Sequence, residues 1–149
     1  MKIGIDQSGK IENTNRLTII ACSNKANKSL LITARDKRAI QSVFRKIGQP
    51  KIFVFKLFAV AIFALIKDDL KKIDQIIIDR EYIGYENLIK QFIQEVAQKN
   101  NNEIAKEDIH FRSIGKKSRA HRVAIEAFLR KRGDVKLTAP YFYELAFAK

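Results

Sequence analysis

The sequence predicts an α/β domain: a mixed five-stranded sheet, three antiparallel strands and then parallel ones, flanked by helices. Two observations carry this. Three short apolar runs joined by short polar connections open the chain, at residues 2–6, 17–23 and 30–34. Two later strand-like runs, at 73–79 and 108–114, alternate with segments of helical periodicity. The 149 residues suffice for one domain with a sizeable core, so 1–149 reads as a single domain.

Residues 2–6 are the first strand, and "IGID" is an apolar run that ends on a carboxylate. "QSGK" at 7–10 is a polar turn. "LTIIACS", 17–23, is rich in β-branched residues and makes the second strand; 24–27 is a turn and 30–34 the third strand. Connections this short favour an antiparallel meander. Asp36 is expected to cap a helix over 37–47, where Ala39, Ile40, Val43, Phe44 and Ile47 share one face. Gly48 and Pro50 end it.

"IFVFKLFAVAIFALI", residues 52–66, is apolar around its whole circumference apart from Lys56. It is too short for a comfortable membrane span, so no membrane partner is expected. A helix of this kind is buried, in the core or against a second copy of the chain, which makes a homodimer through 52–66 the second reading. The run 73–79 carries Ile76, Ile77 and Ile78, as expected of a strand covered on both faces. "YENLIKQFIQEVAQK" is an amphipathic helix with Leu88, Ile89, Phe92, Ile93 and Val96 on one face. The fifth strand, 108–114, places His110 on the surface. A helix over 118–132 buries Ala120, Val123, Ala124, Ala127 and Phe128, and "APYFYELA" makes a short last helix.

Composition narrows the function classes. Lys and Arg number 29 against 16 Asp and Glu, a formal net charge of +13. Such an excess favours a polyanionic partner, most simply nucleic acid; a compositional bias toward Lys, Ile and Asn is the plainer alternative. The one cysteine, Cys22, excludes an internal disulfide and a cysteine metal cluster and fits a reducing, cytoplasmic compartment. Residues 3–5 are too short for the apolar core of a signal peptide.

Crossover connections make strand four parallel to strand one in a mixed sheet. This element order resembles the ribonuclease H-like fold, and the resemblance implies that strand four lies beside strand one, so that both end at the same edge. Asp6 closes "IGID" and Asp79 closes "IIID". Ligand sites in open α/β sheets gather outside such carboxyl ends. Two adjacent carboxylates repel unless a proton or cation lies between them, and oxygen ligands favour Mg²⁺ or Mn²⁺. The alternative is that both aspartates cap strand ends in water.

"GIDQSGK", residues 4–10, resembles the opening motif of type 2 ribonucleases H, where Gly-x-Asp is followed by Glu, a small residue, Gly and a basic residue. It is also similar to a ribonuclease H-like family that opens with Asp-Glu-Ser-Gly. The element order resembles the ribonuclease H-like fold over nearly the whole chain. The resemblance implies that Asp6 binds metal and that Asp79, by position, shares the site. It departs at Gln7, where the family has glutamate, and an amide is a much poorer ligand. Glu81, two residues beyond Asp79, would share its face if the strand continues, and could replace the missing acid; the alternative is a solvated charge. Glu86 suits a helix start.

The superfamily usually places another acid near the start of the last large helix. Here Ser118 is the expected N-cap, position 124 is Ala, and Glu126 projects about 140° away from His121. His121 is left as the substitute, as ligand or proton shuttle, or as a plain boundary histidine. Lys10 closes the opening motif, and Lys116, Lys117, Arg119 and Arg122 surround the helix start. These five are the candidate phosphate contacts, or else a solvated face. Arg130 to Arg132 only complement the helix dipole. Two function classes follow: a metal-dependent nuclease using Asp6, Asp79, Glu81 and His121, or a non-catalytic nucleic-acid-binding module or structural subunit on the same fold.

Overall fold

The structure, a computed structural model, describes residues 1–23, 27–115 and 118–147. Its sheet has six strands. β1 (Lys2–Ser8) pairs antiparallel with β2 (Thr18–Ser23), which pairs antiparallel with β3 (Lys28–Ile32). β4 (Gln75–Asp79) runs parallel to β1, and β5 (Ile109–Arg112) parallel to β4. β6 (Val135–Lys136) is parallel to β3, giving the order β5-β4-β1-β2-β3-β6. The helices are α1 (Ala34–Lys46), α2 (Phe53–Ile66), α3 (Glu86–Lys99), α4 (Arg119–Arg130) and α5 (Ala139–Ala146).

The mixed α/β architecture follows the expectation, but the strand count does not: six, not five. β6 has two residues, too few to show a period-2 pattern. It depends on Gly133, where a Cβ would stand 2.7 Å from the backbone nitrogen of Leu31. The turn expected at 7–10 begins later, because Gln7 and Ser8 continue β1 and pair with Ile20 and Ile19. Residues 24–26 of the turn expected at 24–27 lie outside the described residues.

Alternation along β1 and β4 sorts side chains onto two faces. Ile3, Ile5, Ile76 and Ile78 enter the large core with α2, α3 and α5. Ile19 and Ala21 of β2 form a second, smaller core with Ala124 and Ala127 of α4. The alanines of α4 let that helix lie close to the sheet; a Cβ on Gly4 would stand 3.9 Å from that of Ala120. α2 is buried almost throughout, so the core reading of 52–66 accounts for it and little of its surface is left to meet a second copy. Lys56 pairs with Glu95 at 3.5 Å and lies over the Phe92 ring. No helix among the described residues is long and apolar enough to cross a membrane.

The capping of α1 differs from expectation. Thr33 is the N-cap, its hydroxyl accepting from the Asp36 N–H, and Asp36 sits in the first turn. The Asp36 carboxylate instead accepts from the Thr33 hydroxyl and from the Ala139 N–H, tying the starts of α1 and α5 together. Residue 34 therefore opens the helix and does not close β3. α4 ends at Arg130 because Lys131 adopts the left-handed conformation, φ 56°. Ser118 caps α4 as expected, accepting from the His121 N–H at 3.0 Å.

Candidate metal centre

The register Ile5↔Ile78 between β1 and β4 brings the next residues, Asp6 and Asp79, side by side at the carboxyl edge. With Glu81 they form a three-carboxylate cluster, each offering an oxygen within 4.8 Å of the others. Three acids this close fit a hard divalent cation that takes oxygen ligands.

Glu81 joins by a different route from the one expected. β4 stops at Asp79, and the Glu81 N–H donates to the Asp79 carbonyl at 3.0 Å. That bend, not a continued strand, returns Glu81 to the site. Asp79 is fixed in turn by the Ile114 N–H, which donates to its Oδ1 at 2.8 Å.

Asp6 is only 4% exposed. Its Oδ1 accepts from the Gln7 N–H at 2.8 Å, and its Oδ2 lies 2.7 Å from Nδ1 of His121. α4 supplies that contact from its first turn, because Ser118 fixes where the helix starts. Burial pushes the Asp6 carboxyl above its ordinary value; the Gln7 N–H and His121 oppose this and Asp79 adds to it. Glu81 is pushed up to about 7, first by burial and then by repulsion from Asp79, Asp6 and Glu12, with Lys10 opposing. Burial first, and then the closeness of the carboxylates, holds Asp6 and Glu81 above their ordinary range, and a cation between them would oppose both effects.

Metal affinity should accordingly depend on pH. Below about 7 Glu81 keeps its proton, which a cation must displace. Affinity for Mn²⁺ is expected to rise about tenfold per pH unit up to that point and then level off. Titrations at several pH values check this, and an affinity independent of pH over that window would contradict it.

Gln7 is not part of the cluster. Asp6 and Gln7 are neighbours on a strand and face opposite sides of the sheet. The Gln7 amide meets Tyr82, donating to its hydroxyl at 3.0 Å, and that hydroxyl also lies 3.2 Å from a carboxylate oxygen of Glu12. The sequence reading missed Glu12 and Tyr82. Glu12 stands in a loop without periodicity, and only Tyr82's place directly after Glu81 hinted at a role.

Ala124 is fully buried against β2, so α4 brings no acid at that position. Glu126 is exposed, as expected. His110 differs from expectation: it is half-buried and its Nε2 is enclosed without a hydrogen-bond partner. It pairs in register with Ile77, so its side chain takes the α4 face of the sheet. Lys10, Arg119 and Arg122 are exposed around the carboxyl edge, while Lys116 and Lys117 lie outside the described residues. Glu86 starts α3 and accepts from the Gly84 N–H at 2.9 Å.

No family model, curated protein or solved structure matches this chain.

Proposed function

We propose that the chain is a divalent-metal-dependent nuclease of ribonuclease H-like type. The observation that carries this reading is the cluster of Asp6, Asp79 and Glu81 at the shared end of two parallel central strands. The strand order supports it, since the first five strands follow the arrangement that the resemblance implies. The residues suit Mg²⁺ or Mn²⁺: three carboxylates, two of them held above their ordinary pKa.

When bound, such a cation activates water and offsets charge on the phosphodiester. The chain's own groups do the rest. Asp6 and Asp79 are oriented by the backbone N–H groups of Gln7 and Ile114, which hold the two carboxylates in place before a cation would bind. Glu81, near the midpoint of its titration at neutral pH, can ligate or carry a proton. His121 uses Nδ1 to hold Asp6, which leaves Nε2 to take or give a proton at the edge of the site. Lys10, Arg119 and Arg122 meet the phosphate backbone.

The buried Ala124 in place of an acid favours a second reading, a nucleic-acid-binding module without catalysis. Cleavage assays on RNA–DNA hybrid, duplex and branched DNA in Mg²⁺ and Mn²⁺ separate the two. Cleavage that EDTA stops supports the nuclease; binding without cleavage under every condition supports the module.

Both readings predict salt-sensitive binding, from the +13 charge. Losing three or four phosphate contacts' worth of counterion release should cost roughly 40- to 150-fold in affinity for duplex between 50 and 200 mM salt. Fluorescence anisotropy across that range measures the slope. No binding to hybrid, duplex or single strand at low salt would refute both.

A further inference from the structure

Beside the carboxylates, residues 82–85 form a tight turn closed by the Tyr85 N–H donating to the Tyr82 carbonyl at 3.1 Å. Gly84 takes φ 93° at the third position, the one that calls for glycine in a type II turn. Ile83 occupies the outer corner and is 77% exposed, the most exposed of the chain's large apolar side chains among the described residues. Both shoulders of the turn are anchored on α2. Tyr85 stacks on Phe55 at 4.2 Å, and Tyr82 meets Phe55 and Phe58 edge-on at 5.7 and 5.3 Å. The Glu86 carboxylate holds the Gly84 N–H from the next helix. A bulky aliphatic group is thus held out into water on a rigid mount.

We infer that Ile83 is a wedge that enters a base step of duplex nucleic acid near the bond to be cut, so the substrate is a duplex opened at that step. This rests on the nuclease reading and adds the substrate's form to it. Ile83 follows Glu81 by two residues, so their Cα atoms are at most about 7 Å apart. With the reach of both side chains added the bound is about 15 Å, and successive bases on one strand rise by about 3.4 Å, which puts the wedge within about four steps of the phosphate at the carboxylates. Aliphatic side chains inserted between base pairs are an established way to unstack and bend a duplex. Arg80, two residues before the turn, and Lys10, close enough to act on Glu81, are exposed cations that suit the backbone near the opened step. The energy of unstacking is lower where pairing is already broken, so a mismatch, nick or branch at that step is the preferred substrate.

The test uses metal-free wild-type protein and the Ile83→Ser variant with duplexes carrying 2-aminopurine at successive steps. Wild type should raise the fluorescence at one or two adjacent steps, and Ile83→Ser should not, while both bind with the same salt slope and melt at the same temperature. Ile83→Phe should keep the signal. In Mg²⁺, Ile83→Ser should lose about tenfold or more in cleavage of continuous duplex and little on a duplex with a mismatch at the same step. Binding and cleavage by wild type with no fluorescence rise at any step would overturn the wedge and leave the nuclease reading standing. Equal signals from wild type and Ile83→Ser would do the same. Failure of wild type to bind any duplex or hybrid would overturn the wedge alone, and failure on single strands as well would overturn the nuclease reading with it.

Discussion

Asp6→Asn is expected to reduce metal-dependent cleavage by at least about a thousandfold while nucleic-acid binding stays intact or tightens. Asparagine keeps the shape and the acceptor for the Gln7 N–H, but it removes the charge that would hold a cation. Removing that charge also lessens repulsion of the phosphate backbone. Folding should not suffer. Burial raises the Asp6 carboxyl, so its ionised form is less favoured in the folded chain than in the unfolded one, and ionisation costs stability as pH rises above the ordinary carboxylate range. The metal-free variant should therefore melt at the same temperature as wild type or higher at pH 7. Added Mn²⁺ should raise the wild-type melting temperature and leave the variant's unchanged. Glu81 should fall from about 7 toward its ordinary value once one of its repelling neighbours is neutral. Unchanged cleavage in Asp6→Asn would show that Asp6 is only a structural residue of β1. Gln7→Glu should not improve metal binding, because position 7 meets Tyr82 on the face of the sheet opposite Asp6.

The elements that position this site were legible where a period was long enough to read. β1, β4 and α4 each carry an apolar pattern, and their order, together with the fold it resembles, puts Asp6 and Asp79 at one edge of the sheet. Glu81 shows the limit of that reasoning. Its place in the cluster depends on a bend after β4, a backbone hydrogen bond that no pattern of side chains announces. Gln7 is the reverse case. The resemblance made it a missing ligand, whereas plain strand alternation already put it on the face opposite Asp6. β6 was invisible because two residues cannot alternate. Asp36 looked like a cap because it is a good cap residue, but Thr33 three positions earlier takes the role, with Asp36 answering from the first turn. His110 looked like the polar half of an alternating strand; it is half-buried instead, with its Nε2 enclosed.

Lys37 carries the second large expected effect. It lies one turn before Ile40 on the buried face of α1 and is fully buried. Its Nζ donates to the Lys10 carbonyl at 3.1 Å, the Asn13 carbonyl at 2.7 Å and the Thr18 hydroxyl at 3.0 Å. The next residue, Arg38, donates to the Thr14 carbonyl at 2.9 Å, so α1 grips the loop between β1 and β2 at several points. That loop presents Lys10 and Glu12 to the carboxylates. Lys37→Met keeps most of the volume and leaves three acceptors without this donor. Each stranded group costs about 1–3 kcal/mol, but the Lys10 and Asn13 carbonyls keep turn hydrogen bonds and the buried charge is gone, so the net loss should be roughly 2 kcal/mol. Burial lowers the Lys37 ammonium from 10.5 to about 8, with Glu12 opposing. Between those values the unfolded chain holds a proton that the folded chain has released, so wild-type stability gains with rising pH across that window. The gap between wild type and Lys37→Met should therefore be wider at about pH 9.5 than at pH 7.5. Hydrogen exchange at Asn13, Asn15 and Arg16 should quicken in the variant. Thermal melts at the two pH values give the measurement. A variant as stable as wild type at both would mean that these three hydrogen bonds do not hold the loop.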